Sequence, residues 1–214
     1  LKKELLQAGV VFRGGSDTEV LLAAIEFWGI KKALRRSVGM FAFSLWDKKE
    51  QTLSLVRDRM GEKPVYYGWQ GEGAKRTFLF GSELKSLRQH PVWQGGVDRD
   101  ALANLLRYNY IPAPQTIHPN IHKLRPGYLL QLKKTTKGWS EKEECWWSLQ
   151  EVAQQASKNP FMGSRTDAVD QLDKLLKNTI QEQSIADVPL GVFLSGGVDS
   201  SSMVAIMQSI SNHP

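Results

Sequence analysis

Near the end of the chain a short apolar run, Val192-Phe193-Leu194, breaks into Ser195-Gly196-Gly197. It restarts as a helical pattern from Ser200 to Ile210, with Met203, Val204, Ile206, Met207 and Ile210 at the apolar positions. The order predicts a buried strand, a glycine turn and a helix start, the geometry that builds an anion site. Two glycines let the backbone turn tightly and approach a ligand, and a helix N-terminus offers unpaired N–H groups and the positive end of a dipole. Ser195, Ser200 and Ser201 add hydroxyl donors. Asp199 is the odd member, because a carboxylate beside a phosphate repels it unless a cation lies between, which makes Asp199 a candidate Mg²⁺ ligand. The plainer reading is a strand-to-helix turn in which Asp199 and Ser200 only cap the helix.

Length and composition bound what surrounds this turn. A chain of 214 residues allows one or two domains, and 41% hydrophobic with 23% charged residues is ordinary globular composition. Seven tryptophans and eight phenylalanines argue against disorder. No apolar run is long enough to span a bilayer, and no signal-peptide pattern opens the chain. Cys145 is the single cysteine, so no intrachain disulfide can form and a reducing cytoplasm is the expected setting. The net charge of +6 is scattered, with no basic run beyond Lys133-Lys134 or Arg35-Arg36, so a solvated surface is expected rather than nucleic-acid binding.

Going back to the start, Ser16-Asp17-Thr18-Glu19 reads as a reciprocal capping box before an apolar helix that ends at Gly29. A strand is expected at Val10 to Phe12. Asp17 then sits in the first turn, where the dipole favours a carboxylate in any protein. Met40 to Asp47 with Thr52 to Arg57, and Val65 to Trp69 with Thr77 to Phe80, read as two hairpins. Their apolar residues at nearly every position predict sheets covered on both faces. Arg57 to Pro64, charged and lying between them, is expected to be a salt-bridged corner. A helix is expected over Asp98 to Tyr108 with Leu102, Leu105 and Leu106 on one face, and a strand closing this region over Gly127 to Leu132. Cys145 falls in another strand and reads as a structural thiol. After a polar stretch from Trp147, an amphipathic helix spans Thr166 to Gln183.

Five motifs in this order carry a resemblance. Gly15 to Val20, Gly39 to Phe43, Arg57 to Pro64, Ser82 to Lys85 and Pro189 to Ser201 together resemble the glutamine-dependent asparagine synthetases, and the last includes the SGGxDS signature of PP-loop ATP pyrophosphatases. The resemblance implies an Ntn-hydrolase-like αββα four-layer sandwich over residues 1–146 (the later part of a class II glutamine amidotransferase domain), a linker over 147–164, and over 165–214 the start of an α/β PP-loop domain. It implies that Asp17 binds the α-amino group of glutamine, and that Ser195, Gly196, Gly197, Asp199 and Ser200 hold the pyrophosphate of ATP. Phe193 lies where the family's backbone meets adenine. Glutamine hydrolysis would supply ammonia to an acyl-adenylate of a carboxylate, expected to be aspartate, giving asparagine, AMP and pyrophosphate. ATP and Mg²⁺ are the implied cofactors, a homodimer is the implied assembly, and no nucleic acid or membrane is expected as partner.

The family's nucleophile is an N-terminal cysteine, and this sequence starts at Leu1. Both ends are expected to be cuts in a longer protein, and this piece alone is expected to be inactive, with no catalytic residue carried over. Alternative readings keep the architecture and change the acceptor to a sugar or another carboxylate in polysaccharide biosynthesis, or make it a β-lactam-synthetase-like enzyme. A non-catalytic remnant and a tRNA-modifying PP-loop enzyme are the remaining alternatives.

Overall fold

A computed structural model describes residues 1–186 and 188–211, and the chain divides into two compact units, Leu1–Val152 and Ala153 onward. The first unit starts with three helices, α1 (Lys2–Gln7), α2 (Asp17–Trp28) and α3 (Ile30–Arg36). Strands β1 (Ala42–Asp47) and β2 (Thr52–Arg57) form the first expected hairpin, with Ala42 opposite Arg57. Strands β3 (Tyr66–Gln70) and β4 (Thr77–Gly81) form the second. Then follow α4 (Leu84–Leu87), α5 (Arg99–Tyr108), β5 (Ile121–Lys123), β6 (Tyr128–Thr135), β7 (Gly138–Cys145) and α6 (Leu149–Lys158).

The two hairpins do not share a sheet. One sheet has the order β1-β2-β6-β7 and the other β4-β3-β5, all pairs antiparallel. Alternation along the strands decides what each face meets. Leu55, Leu130 and Leu132 of the first sheet pack with Tyr67 of the second, joined by Val65 and Leu124. Their neighbours Val56 and Leu129 point the other way, onto Leu34 of α3 and Trp146. Beyond that layer, Leu5, Ala24 and Ala33 join α1, α2 and α3. On the far side of the second sheet, Leu79 and Ile121 meet Leu87 of α4. Each fully buried leucine here contributes roughly 1.5–3 kcal/mol.

Double coverage therefore holds for the central strands β2 and β6, while the edge strands β1 and β7 are largely exposed. Among this unit's strands, one expectation needs correction. Val10 to Phe12 is not a strand, because no described strand pairs with it. The strand expected over Gly127 to Leu132 is present as β6, and it lies between β2 and β7. Leu102, Leu105 and Leu106 of α5 are all exposed, and Ala101 is the residue that α5 buries.

The corner at Arg57 to Pro64 is held by hydrogen bonds from side chain to backbone, not by ion pairs. Asp58 is 1% exposed, and its carboxylate accepts from the N–H of Phe41 (3.3 Å), Glu62 (2.9 Å) and Lys63 (3.0 Å). Arg57 donates Nε to Lys63 O (3.0 Å), Nη1 to Leu124 O (2.7 Å) and Nη2 to Gly61 O. Burial lowers the Arg57 pKa and the nearby Asp58 charge opposes that. Buried charged groups must be satisfied, and in this corner main-chain dipoles satisfy them.

In the second unit, α7 (Arg165–Gln183) opens on a complete capping box between Ser164 and Asp167. The Ser164 hydroxyl and N–H hold the Asp167 carboxyl below its usual range. Helix α8 (Val198–Ile210) follows the glycine turn. The segment 192–194 is not a strand: no strand lies in this unit among the described residues, and Phe193 is 98% exposed. An apolar run becomes a buried strand only where a neighbour supplies ladder hydrogen bonds and cover.

Candidate functional site

The candidate residues fall into two sets, one in each unit. In the second, the chain leaves extended backbone at Ser195, turns through Gly196 at φ +83° and enters α8 at Gly197, its N-cap. A side chain at Gly196 would be strained by that φ, yet a Cβ there would meet no atom within 4 Å. The glycine thus leaves an open cradle above the turn. The Ser200 hydroxyl closes the turn from the helix side, donating to Gly197 O (3.2 Å), accepting from Ser195 N–H (3.3 Å) and lying 2.9 Å from Ser195 Oγ. The first amides of α8 have no intrahelical acceptor, and they add an N-terminal dipole.

This donor set fits a phosphate or pyrophosphate group: two linked hydroxyls, helix amides and space. Asp199 stands in the first turn of α8 and is exposed. No cluster of three metal-ligating side chains exists among the described residues. A divalent cation here would find Asp199 as a single carboxylate rather than an all-protein metal cage among the described residues. Phe193 packs against nothing in its unit, so its side chain defines no adenine pocket there. An apolar groove of about 1010 Å³ runs beside the loop, lined by Leu190, Val192, Leu194, Val204 and Met207 among others.

In the first unit, Ser16 is the N-cap of α2, accepting from Glu19 N–H at 3.2 Å. The reciprocal half of the expected box is absent. The Glu19 carboxylate instead reaches past Ser16 to the N–H of Arg13 (2.7 Å) and Gly14 (2.8 Å). Asp17 accepts from Thr18 N–H (2.7 Å) and Thr18 Oγ1 (3.4 Å), both through Oδ1. One oxygen of Asp17 thus supports the helix start, and Oδ2 takes neither of these bonds. Capping and ligand binding are compatible in this residue. The role of Glu19 was not legible in the sequence beyond the box pattern; the preceding Gly14-Gly15 pair was the available signal.

The Arg13 and Gly14 N–H groups hold the Glu19 pKa below its ordinary 4.5. A depressed carboxylate contributes its hold above 4.5 and loses it as pH falls through the lowered folded value. Titrating the Arg13 and Gly14 amide resonances is expected to report one shared midpoint below 4.5. Glu19→Gln should remove that inflection, and an inflection that survives it would assign the midpoint elsewhere.

Cys145, at the end of β7, donates its thiol to Trp147 O (3.1 Å). The thiol is exposed and unbridged.

Residues 1–147 match the glutamine amidotransferase domain family, and residues 171–214 match the asparagine synthase family. The chain is 34% identical over 207 residues to the glutamine-hydrolysing asparagine synthetase 3 of Bacillus subtilis, covering 96% of this chain and 31% of that protein. A putative glutamine-hydrolysing asparagine synthetase 2 of Methanocaldococcus jannaschii is 31% identical over 202 residues, 92% of this chain and 36% of that one. The amidase chry2 of Gibberella zeae is 28% identical over 202 residues, 93% and 27% of the two chains. The chain spans about a third of the length of these curated relatives.

Proposed function

The chain belongs to the glutamine amidotransferase domain family, and we propose that it is part of a glutamine-dependent carbon–nitrogen ligase that forms asparagine from aspartate at the expense of ATP. The observation that carries this reading is the open loop at Ser195 to Ser200, attached in one chain to a glutaminase-family unit. An amidotransferase needs both halves: one releases ammonia from glutamine, and the other makes a carboxylate reactive toward it.

In this reading residues 1–147 form an Ntn-hydrolase-like domain, and the Asp17 carboxylate pairs with the α-amino group of glutamine. In the PP-loop domain Ser195, Gly196, Gly197 and Ser200 hold the leaving pyrophosphate through N–H and O–H donors, lowering the cost of the charge that develops there. Asp199 would be the residue that holds a Mg²⁺ ion there. When bound, ATP supplies the activation of the carboxylate, and Mg²⁺ the charge neutralisation. Ser200 must release Ser195 N–H for that donor to reach an anion. No helix among the described residues is long and apolar enough to cross a membrane.

The test is exchange of labelled pyrophosphate into ATP by the full-length protein. Exchange that depends on aspartate, with asparagine formed from glutamine, is the expected result. Exchange that depends on a different carboxylate overturns aspartate as acceptor. It would favour the second reading, an enzyme of the same architecture with another acceptor. No exchange with any carboxylate sinks both. Asp17→Asn is expected to raise KM for glutamine by about a hundredfold, the scale of a lost charge-assisted contact. Steady-state glutaminase kinetics measure it.

A further inference from the structure

Two carboxylates lie two residues apart at the start of α2, and the structure gives them different tasks. Asp17 keeps one oxygen clear of its bonds to Thr18. Glu19 commits both of its oxygens, Oε1 to Arg13 N–H and Oε2 to Gly14 N–H. Those amides belong to the turn that leads into Ser16 and Asp17, so the carboxylate ties the turn to the helix it precedes. On its other side the same turn is held by Lys2, whose ammonium donates to Gly14 O at 3.4 Å and lies 5.4 Å from the centre of the Phe12 ring. A Cβ on Gly14 would come within 3.1 Å of Glu19 Oε2. An alanine there would require the carboxylate to give by a few tenths of an ångström.

We propose that Glu19 is a positioning residue for glutamine: its clamp on Arg13 and Gly14 fixes the turn that presents Asp17, and it acts on binding only through Asp17. The proposal rests on the reading of Asp17 as the amino-group ligand. Glutamine at position 19 keeps the length of the side chain but offers one acceptor and one donor group where two N–H donors point. One bond is then lost and replaced by a donor facing a donor. A turn loosened this way costs binding geometry, which appears in KM, while the chemistry of amide hydrolysis is left to other groups.

The experiment uses the full-length protein and measures glutamine hydrolysis in wild type, Glu19→Gln, Asp17→Asn and the double variant, with the thermal midpoint of each. Glu19→Gln is expected to raise KM for glutamine about tenfold and to change kcat by less than about twofold. In the Asp17→Asn background the same substitution is expected to change KM by less than about twofold, since a residue acting through another loses its effect when that other is gone. Gly14→Ala, which pushes the carboxylate from the opposite side, should copy the KM effect. An unchanged KM in Glu19→Gln, with or without a lower thermal midpoint, overturns the proposal and leaves a structural clamp. Independent, multiplicative effects of the two substitutions overturn it as well. If Asp17→Asn leaves KM unaltered in an active wild type, the assignment of Asp17 falls and this proposal with it. A wild type that hydrolyses no glutamine overturns the glutaminase reading itself.

Discussion

Asp58→Ala is expected to be the most damaging single side-chain truncation in the first unit, lowering stability by on the order of 3 kcal/mol or more. The carboxylate is buried and accepts three backbone N–H groups from two separated segments, Phe41 and the Glu62-Lys63 pair. Removing it leaves those donors turned toward a cavity that no other acceptor fills, and an unsatisfied buried donor costs about 1–3 kcal/mol. The main chain of the same residue is a second junction: its N–H donates to Phe41 O (2.9 Å), and its carbonyl accepts from Gly61 (3.2 Å) and Gly127 (2.8 Å). Loss of the side chain therefore loosens the corner where β1, β2 and the approach to β6 meet. Asp58→Asn should recover part of the loss, because one amide oxygen still accepts. Urea unfolding followed by tryptophan fluorescence would measure both variants. An Asp58→Ala midpoint equal to that of wild type would show that the three hydrogen bonds contribute nothing net.

The second large effect is steric. Gly68 sits in the middle of β3, paired with Leu79 on one side and Ile121 on the other. A Cβ added to it would lie 1.9 Å from Asn120 O and 3.1 Å from Ile121 Cα. The obstacle is backbone, which cannot rotate away as a side-chain tip can. Gly68→Ala is expected to cost on the order of 3 kcal/mol, or to detach the three-residue strand β5, since overpacking against a fixed partner is relieved only by moving that partner. Detachment would expose Ile121 and Leu124, which belong to different core layers. Amide exchange at Leu124, whose N–H donates to Val65 O (2.8 Å), would then accelerate ahead of the rest of the sheet. By contrast, alanine at Gly15, where nothing lies within 4 Å, should be tolerated to within about 0.5 kcal/mol.

Both effects come from close contacts between segments distant in sequence, and this marks the limit of what residue order reveals. Helix α2 was readable from Ser16 to Gly29, since an N-cap, an apolar stripe and a glycine stop are local events. The two hairpins were readable because pairing between neighbours is written in alternation and turn residues. The glycine turn and the start of α8 were readable for the same reason, and Gly196 takes the positive φ that glycine allows there.

What periodicity could not supply was the partner. The two hairpins went to different sheets, with β6 and β5 inserted beside them from more than fifty residues away in sequence, a choice made by packing across the Leu55–Tyr67–Leu130 layer. Val10 to Phe12 and Val192 to Leu194 have strand-like composition, but without a paired edge they stay outside any sheet. The charges of Arg57 and Asp58 announced a corner without saying that carbonyls and amides, not opposite charges, would satisfy them. Glu19 matched a capping box, yet its carboxylate found two better-placed donors in the turn before the helix. Local sequence determined where elements begin, end and turn, because those choices depend on backbone preferences within a few residues. Only the tertiary structure decided which strands pair, which face is buried and which polar group answers which, because those depend on distances that the order of residues does not contain.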